Sequence, residues 1–248
     1  MFAYGPAGAG KTDTPEQVCA RINYPFMFVA GMGGTEPSDY IGTPWVENKE
    51  MTWKDGDITK AVRRGCFLLY DEPFKASAQT NMCLQSLLDH RKTLKLYGHP
   101  TSGTLKAHSN FRIALADNVR GHGDSMDKYC AEIQDQSTLN RMAFSVHVDY
   151  MPQEEETKLI LSKTEGMSEE LAKRMVSLAT QLREAWKQEE VALPFSVRNT
   201  LEWAEYTNYF RDPAKAFKLT YFGAIQEDAE KEAVRRMWDV VGFEEFKL

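Results

Sequence analysis

Through the first 150 positions, short apolar runs alternate with segments of helical periodicity. Residues 2–4, 25–30, 66–70, 111–116 and 143–148 read as strands. The continuous apolar run at 66–70 is the pattern of a buried parallel strand. Residues 14–23, 58–64 and 79–88 carry apolar side chains at helical spacing. The alternation predicts βαβ units and a parallel sheet. Two insertions interrupt it. Residues 45–57 contain Asn48-Lys49 and Asp55-Gly56 turn signals and predict a hairpin. Residues 93–106 predict two strands around a loop with Gly98, Pro100, Ser102 and Gly103, in a locally basic setting of Lys92, Lys95, His99, Lys106 and His108. Beyond Met151-Pro152 no segment reads as a strand. Helices are expected at 154–163, 168–190, 197–210, 213–222 and 227–241. Ser168 is a suitable N-cap followed by two acids, and Pro213 suits a first helical position. The expected fold class is α/β: a parallel-sheet nucleotide-binding domain over residues 1–152 and a small all-helical domain over 153–248.

The segment after the first apolar run reads Gly5-Pro6-Ala7-Gly8-Ala9-Gly10-Lys11-Thr12, a complete G-x-x-x-x-G-K-[ST] loop. Its glycines let consecutive backbone N–H groups turn inward around a polyphosphate. Lys11 has the reach for β- and γ-phosphates, and the Thr12 hydroxyl suits Mg²⁺. The helix expected next adds the positive end of its dipole. The strand-loop-helix context makes a ligand-free Gly-rich turn a poor account of these residues.

A partner for this loop lies downstream. The apolar run Cys66–Tyr70 ends in Asp71-Glu72. Open α/β sheets bind ligands at the C-terminal ends of their strands, where this pair falls. Asp71 is expected to hold Mg²⁺ directly or through its water. Glu72 is expected to polarise the attacking water as general base.

Composition narrows the class. The chain has 30 Lys and Arg against 36 Asp and Glu, a net charge of −6, so no global basic field for nucleic acid exists. No run of 18 apolar residues predicts a membrane span, and no signal peptide precedes the first strand. Cys19, Cys66, Cys83 and Cys130 form no C-x-x-C pair, and the five histidines lack ligand spacing. Reduced thiols in a cytoplasmic protein are expected. Because the chain starts almost on the first strand, the base pocket of a nucleotide is expected to need a preceding segment or a neighbouring element.

Phosphate loop, acidic strand, Asn-terminated strand, Asn140-Arg141 before a last strand, and a helical region carrying Ser196-Val197-Arg198 come in an order that resembles AAA+ ATPases. Asp71-Glu72-Pro73-Phe74-Lys75-Ala76 followed by Leu84-Gln85-Ser86-Leu87-Leu88 resembles the MoxR branch, whose two insertions the predicted hairpins match. A closer resemblance is to the CobS-type ATPase subunits of aerobic cobaltochelatase. It covers residues 5–31, 54–73 and 111–152, with Trp53–Gly56, Ala116-Asp117-Asn118 and Gly121-His122-Gly123-Asp124. It extends to the tail at Ser196–Glu205 and Ala216–Phe222. The resemblance implies Asn118 as the sensor that positions water against the γ-phosphate. It implies Arg141 as an arginine finger reaching a neighbouring subunit's nucleotide, and Arg198 as a lid arginine on the γ-phosphate. It also implies ATP and Mg²⁺ as cofactors, a homo-oligomeric ring (a hexamer) and a VWA-domain protein partner. Pro73 departs from the family pattern, where a small or branched residue often stands.

Together these features predict Mg²⁺-dependent ATP hydrolysis in a ring that remodels a protein partner. Two other readings stay open: a nucleotide-gated scaffold with slow hydrolysis, and a nucleic-acid-stimulated motor using the basic hairpin.

Overall fold

A computed structural model describes residues 1–122, 129–142 and 144–248. Gly123 and Asp124 of the resemblance, and the first position of the strand expected at 143–148, lie outside the described residues. The chain divides into two compact units, Met1–Gly5 with Gly10–Val148, and Pro6–Ala9 with Asp149–Leu248.

The first unit runs β1 (Phe2–Tyr4), α1 (Asp13–Arg21), β2 (Phe26–Ala30), α2 (Pro37–Ile41), β3 (Gly42–Glu47), β4 (Glu50–Asp55), α3 (Asp57–Arg64) and β5 (Phe67–Asp71). It continues through a 3-10 turn (Pro73–Lys75), α4 (Ala78–Met82), α5 (Gln85–Leu88), β6 (Thr93–Lys95), β7 (Thr104–Lys106), β8 (Arg112–Asp117), α6 (Gln136–Leu139) and β9 (Ser145–His147). The five expected strands form one sheet in the order β2-β5-β8-β1-β9, with every neighbouring pair parallel. One face packs Phe2, Val29, Leu68, Tyr70 and Leu115 against Ile58, Val62, Phe74 and Leu87. The other carries Leu69, Ala114 and Ala116 with Phe26 and Phe67. Burial on both faces is why the central strand β5 and most of β8 read as unbroken apolar runs, whereas β9 is exposed along its length.

Both insertions are antiparallel hairpins. β3 and β4 join at Asn48 and Lys49, with φ of 53° and 69°, the left-handed pair a two-residue hairpin turn requires. The helix expected at 79–88 is broken into α4 and α5. Ser77 caps α4, its hydroxyl accepting from Thr80 N. Cys83 N then donates to Thr80 O and Leu84 N to Asn81 O, the tighter i→i+3 pattern that ends a helix. The Asn81 amide is meanwhile held by Pro73 O and Gln134 Oε1, each at 2.8 Å. A mid-helix Asn with such partners favours a break over continuation.

The second unit holds α7 (Gln153–Lys163), α8 (Glu169–Lys187), α9 (Val197–Phe210), α10 (Pro213–Thr220), a 3-10 turn (Phe222–Ala224) and α11 (Asp228–Val240). Its core gathers Ile160, Met175, Leu178, Leu182, Trp203, Phe217, Trp238 and Phe243. Caps set the boundaries: Ser168 accepts from Leu171 N, Ser196 and Asn199 form a capping box, and Asp212 accepts from Ala214 and Lys215. A buried ion pair ties three elements. Arg183 donates to both Glu156 oxygens at 2.7 Å, to Phe195 O at 3.0 Å and to Thr200 Oγ1 at 3.3 Å. Its guanidinium lies 4.3 Å from the Tyr150 ring centroid.

Candidate functional site

The C-terminal ends of β1, β5 and β8 bring together residues far apart in sequence. β1 delivers Gly5, whose φ of 149° lies in the region that favours glycine; a Cβ there would stand 1.9 Å from Val148 O. Gly8, at φ 72°, is as constrained, since its Cβ would meet the Ser196 side chain at 2.5 Å. Pro6, Ala7, Gly8 and Ala9 belong to the second unit, where Tyr150 Oη donates to Ala7 O at 3.1 Å. Gly10 O accepts from Thr14 N, the first bond leading into α1.

Lys11 is 8% exposed. Its Nζ donates to Gly5 O at 2.8 Å and to Asn118 Oδ1 at 2.9 Å. Burial pulls its pKa below the ordinary lysine value, opposed by Asp71, Asp117 and Glu72. Thr12 Oγ1 donates to Asp71 Oδ2 at 3.2 Å. Burial raises the Asp71 carboxyl, while the Thr12 bond opposes this. Glu72 has φ 48° and ψ 45°, a left-handed conformation uncommon for a residue with a Cβ. Its N–H donates to Ala116 O at 2.7 Å. Asn118 Nδ2 stands 3.5 Å from Glu72 Oε1. Thus Lys11, Thr12, Asp71, Glu72 and Asn118 share one corner of the first unit.

Thr12 Oγ1 and Asp71 Oδ2 are hard oxygen donors converging on one point. That suits Mg²⁺, which takes one or two protein ligands and keeps the rest for water and phosphate. No cluster of three His, Cys, Asp or Glu suited to a metal occurs among the described residues.

Arg141 belongs to the first unit and Arg198 to the second. Arg141 follows α6, donates to Ser137 O at 2.6 Å and lies 3.8 Å from Asp89. Arg198 is exposed on the first turn of α9, in the second unit.

Two residues of this corner were not singled out by sequence. Asp117 is 5% exposed. Its Oδ1 accepts from Asn118 N and Val119 N, and its Oδ2 from Phe74 N. One carboxylate therefore fixes both the Asn118 turn and the segment after Glu72. An Asp at a strand end that can capture the N–H two residues on was the available signal. The second is Lys75, whose Nζ lies 2.6 Å from Glu72 Oε2; Glu72-x-x-Lys75 was the only hint.

Comparison with known proteins agrees with this geometry. Residues 1–129 match the family described as AAA domain (dynein-related subfamily), and residues 156–241 match the CbbQ/NirQ/NorQ C-terminal family. The chain is 26% identical over 236 residues to the aerobic cobaltochelatase subunit CobS of a Sinorhizobium species, covering 92% of this chain and 70% of that one. It is 28% identical over 239 residues to the denitrification regulatory protein NirQ of Pseudomonas aeruginosa, covering 96% and 86%. Among solved structures, Brucella abortus NtrX superposes with a TM-score of 0.57 at 15% identity. That match covers 97% of this chain and 57% of NtrX, and at this identity it shows the shared fold alone.

Proposed function

Starting from a chain that belongs to the AAA domain family, dynein-related subfamily, in the MoxR branch of AAA+ proteins, we propose that it hydrolyses ATP with Mg²⁺ in an oligomeric ring that remodels a protein partner. The observation that carries this reading is the meeting of Lys11, Thr12, Asp71, Glu72 and Asn118 at the ends of three adjacent parallel strands. In this reading Gly5 to Gly10 wrap the phosphates with backbone N–H groups. Lys11 exchanges its bond to Asn118 for the β/γ-phosphates. Thr12 and Asp71 would hold Mg²⁺, which would supply positive charge against that developing on the transferring phosphoryl group. Asn118 orients the attacking water and Glu72 accepts its proton.

Arg141 is assigned to the neighbouring subunit's nucleotide and Arg198 to the γ-phosphate of its own, each placing a guanidinium where negative charge develops. The domain division 1–152 and 153–248 belongs to the same proposal. The hairpins β3–β4 and β6–β7 are the proposed client elements. They adjoin, with Trp53 and His99 ring centroids 5.0 Å apart, and expose Trp45, Val46, Met51 and Tyr97. A VWA-domain protein is the proposed client, with the cytoplasm as the compartment.

The direct test is ATP turnover by Glu72→Gln, which keeps shape but cannot take the proton. Binding should persist and hydrolysis should fall by roughly 10²–10⁴. Unchanged turnover would assign water activation to another group. A regulatory switch with slow hydrolysis is the second reading, favoured by the regulatory role in the name of NirQ. Turnover that stays near zero with every partner tried would support it.

A further inference from the structure

We propose that Lys75 restrains the Glu72 carboxylate, holding one of its oxygens in an ion pair so that idle hydrolysis stays low. The proposal rests on reading Glu72 as the base.

The pairing is built by the local sequence. Glu72 caps the 3-10 turn Pro73–Lys75, and Lys75 N donates to Glu72 O at 3.1 Å. The hydrogen bond that closes the turn brings the two residues within side-chain reach, and the Lys75 ammonium meets the Glu72 carboxylate at 2.6 Å. Pro73 fixes its own φ and favours this tight turn at its first position, so the departure from the family pattern at Pro73 is what favours the pair. The turn is pinned on every side. Phe74 is 1% exposed. Its N–H donates to Asp117 Oδ2 at 3.0 Å and its carbonyl accepts from Glu132 N at 2.7 Å. Pro73 O accepts from Asn81 Nδ2.

Against that rigid frame, the ion pair is the part able to open. The side chains of Lys75 and Glu72 remain 41% and 34% exposed, and solvated pairs are weak enough to break and reform readily. With Oε2 on Lys75 and Oε1 toward Asn118 Nδ2, both oxygens face donors. Each oxygen keeps a further lone pair, but the adjacent ammonium favours the charged carboxylate and so disfavours uptake of a water proton until the pair opens. The bond to Glu72 also lifts the Lys75 pKa above the ordinary lysine value, so the ammonium stays charged at neutral pH.

The test is basal ATP turnover of the full chain without partner. Lys75→Met, which keeps length and loses charge, should raise kcat roughly 2- to 5-fold, the range an exposed pair supplies, with KM for ATP unchanged. Lys75→Arg, which keeps a cation, should rise less. The double variant Glu72→Gln/Lys75→Met should be as slow as Glu72→Gln. An unchanged or lower kcat in Lys75→Met, at an unaltered melting profile, overturns the restraint. So does a gain that survives in the double variant. If Lys75→Met fails to fold, Lys75→Gln takes its place under the same criteria. Should Glu72→Gln alone keep wild-type turnover, the base assignment itself fails, a result distinct from any outcome at Lys75.

Discussion

Removal of Glu156 should cost the second unit more stability than any other single carboxylate there. Glu156 is fully buried and Arg183 nearly so, and the pair is joined by two bonds of 2.7 Å. Glu156→Ala leaves an uncompensated guanidinium in the core, for which about 3–5 kcal/mol is expected. Replacing both residues by methionine removes the charges together and costs far less. What remains is Phe195 O and Thr200 Oγ1 without their Arg183 donors, about 1–3 kcal/mol for a stranded buried group. Loss of the stack on Tyr150 adds about 0.5–2 kcal/mol. Apolar packing in place of a desolvated pair returns about 1–4 kcal/mol. The double variant should therefore fall close to the wild type and above Glu156→Ala. Urea unfolding followed by tryptophan fluorescence reads this directly, because Trp203 and Trp238 are fully buried in that core. A Glu156→Ala loss below about 1 kcal/mol, or strict additivity in the double-mutant cycle, would refute the reasoning. The pair also braces the segment of the proposed lid arginine: Arg183 bonds to Phe195 and Thr200, on either side of Ser196 and Arg198.

Lys11→Ala should abolish or strongly weaken ATP binding, measured by titration calorimetry; near-wild-type affinity would count against the assigned loop. Asp71→Asn should stabilise the nucleotide-free protein at neutral pH. Burial raises the Asp71 pKa above its ordinary 3.8, so the folded state binds more protons than the unfolded one and loses stability as pH rises through that interval. The gain should shrink as pH falls toward 3.8, and a pH-independent difference in calorimetric melting would contradict this. Arg141→Ala should bind ATP but lose hydrolysis, by up to about 10³–10⁵ where fingers act. Mixing it with Lys11→Ala subunits should restore part of the activity, and no rescue in demonstrated mixed oligomers would remove Arg141 as a trans-acting group.

The centre of the sheet was legible because β5 and most of β8 lie buried and so read as unbroken apolar runs. The acidic strand was expected at 66–70 and is found at Phe67–Asp71; α9 is found at its expected bounds, where Ser196 caps one end and the left-handed Arg211 closes the other. The hairpin turn was announced by Asn48-Lys49. What escaped was set by tertiary partners rather than local pattern. α2 is a five-residue helix anchored by Tyr40, whose hydroxyl meets that of Tyr70 at 2.8 Å. The break between α4 and α5 follows from partners of Asn81 on distant segments. In the site, the loop, Asp71, Glu72 and Asn118 carry signatures in their own neighbourhoods. Asp117 carries only half of one: its bonds to Asn118 N and Val119 N are local, while its partner Phe74 N is far away in sequence, and Lys75 needs the turn made by Pro73 before its spacing means anything.

The register of β1 has a consequence for biosynthesis. Phe2 pairs with Leu115 on one side and Ser145 on the other, so the strand that presents the phosphate loop has no neighbour until most of the first unit has emerged from the ribosome. Pairings of such long range form late, because the entropy of closing a long loop is met before any contact rewards it. The hairpins β3–β4 and β6–β7, and the adjoining strands β2 and β5, need far less chain. Residues 2–4 are thus among the last of the first unit to be ordered. A nascent or truncated chain can hold both hairpins folded before the phosphate loop is in place.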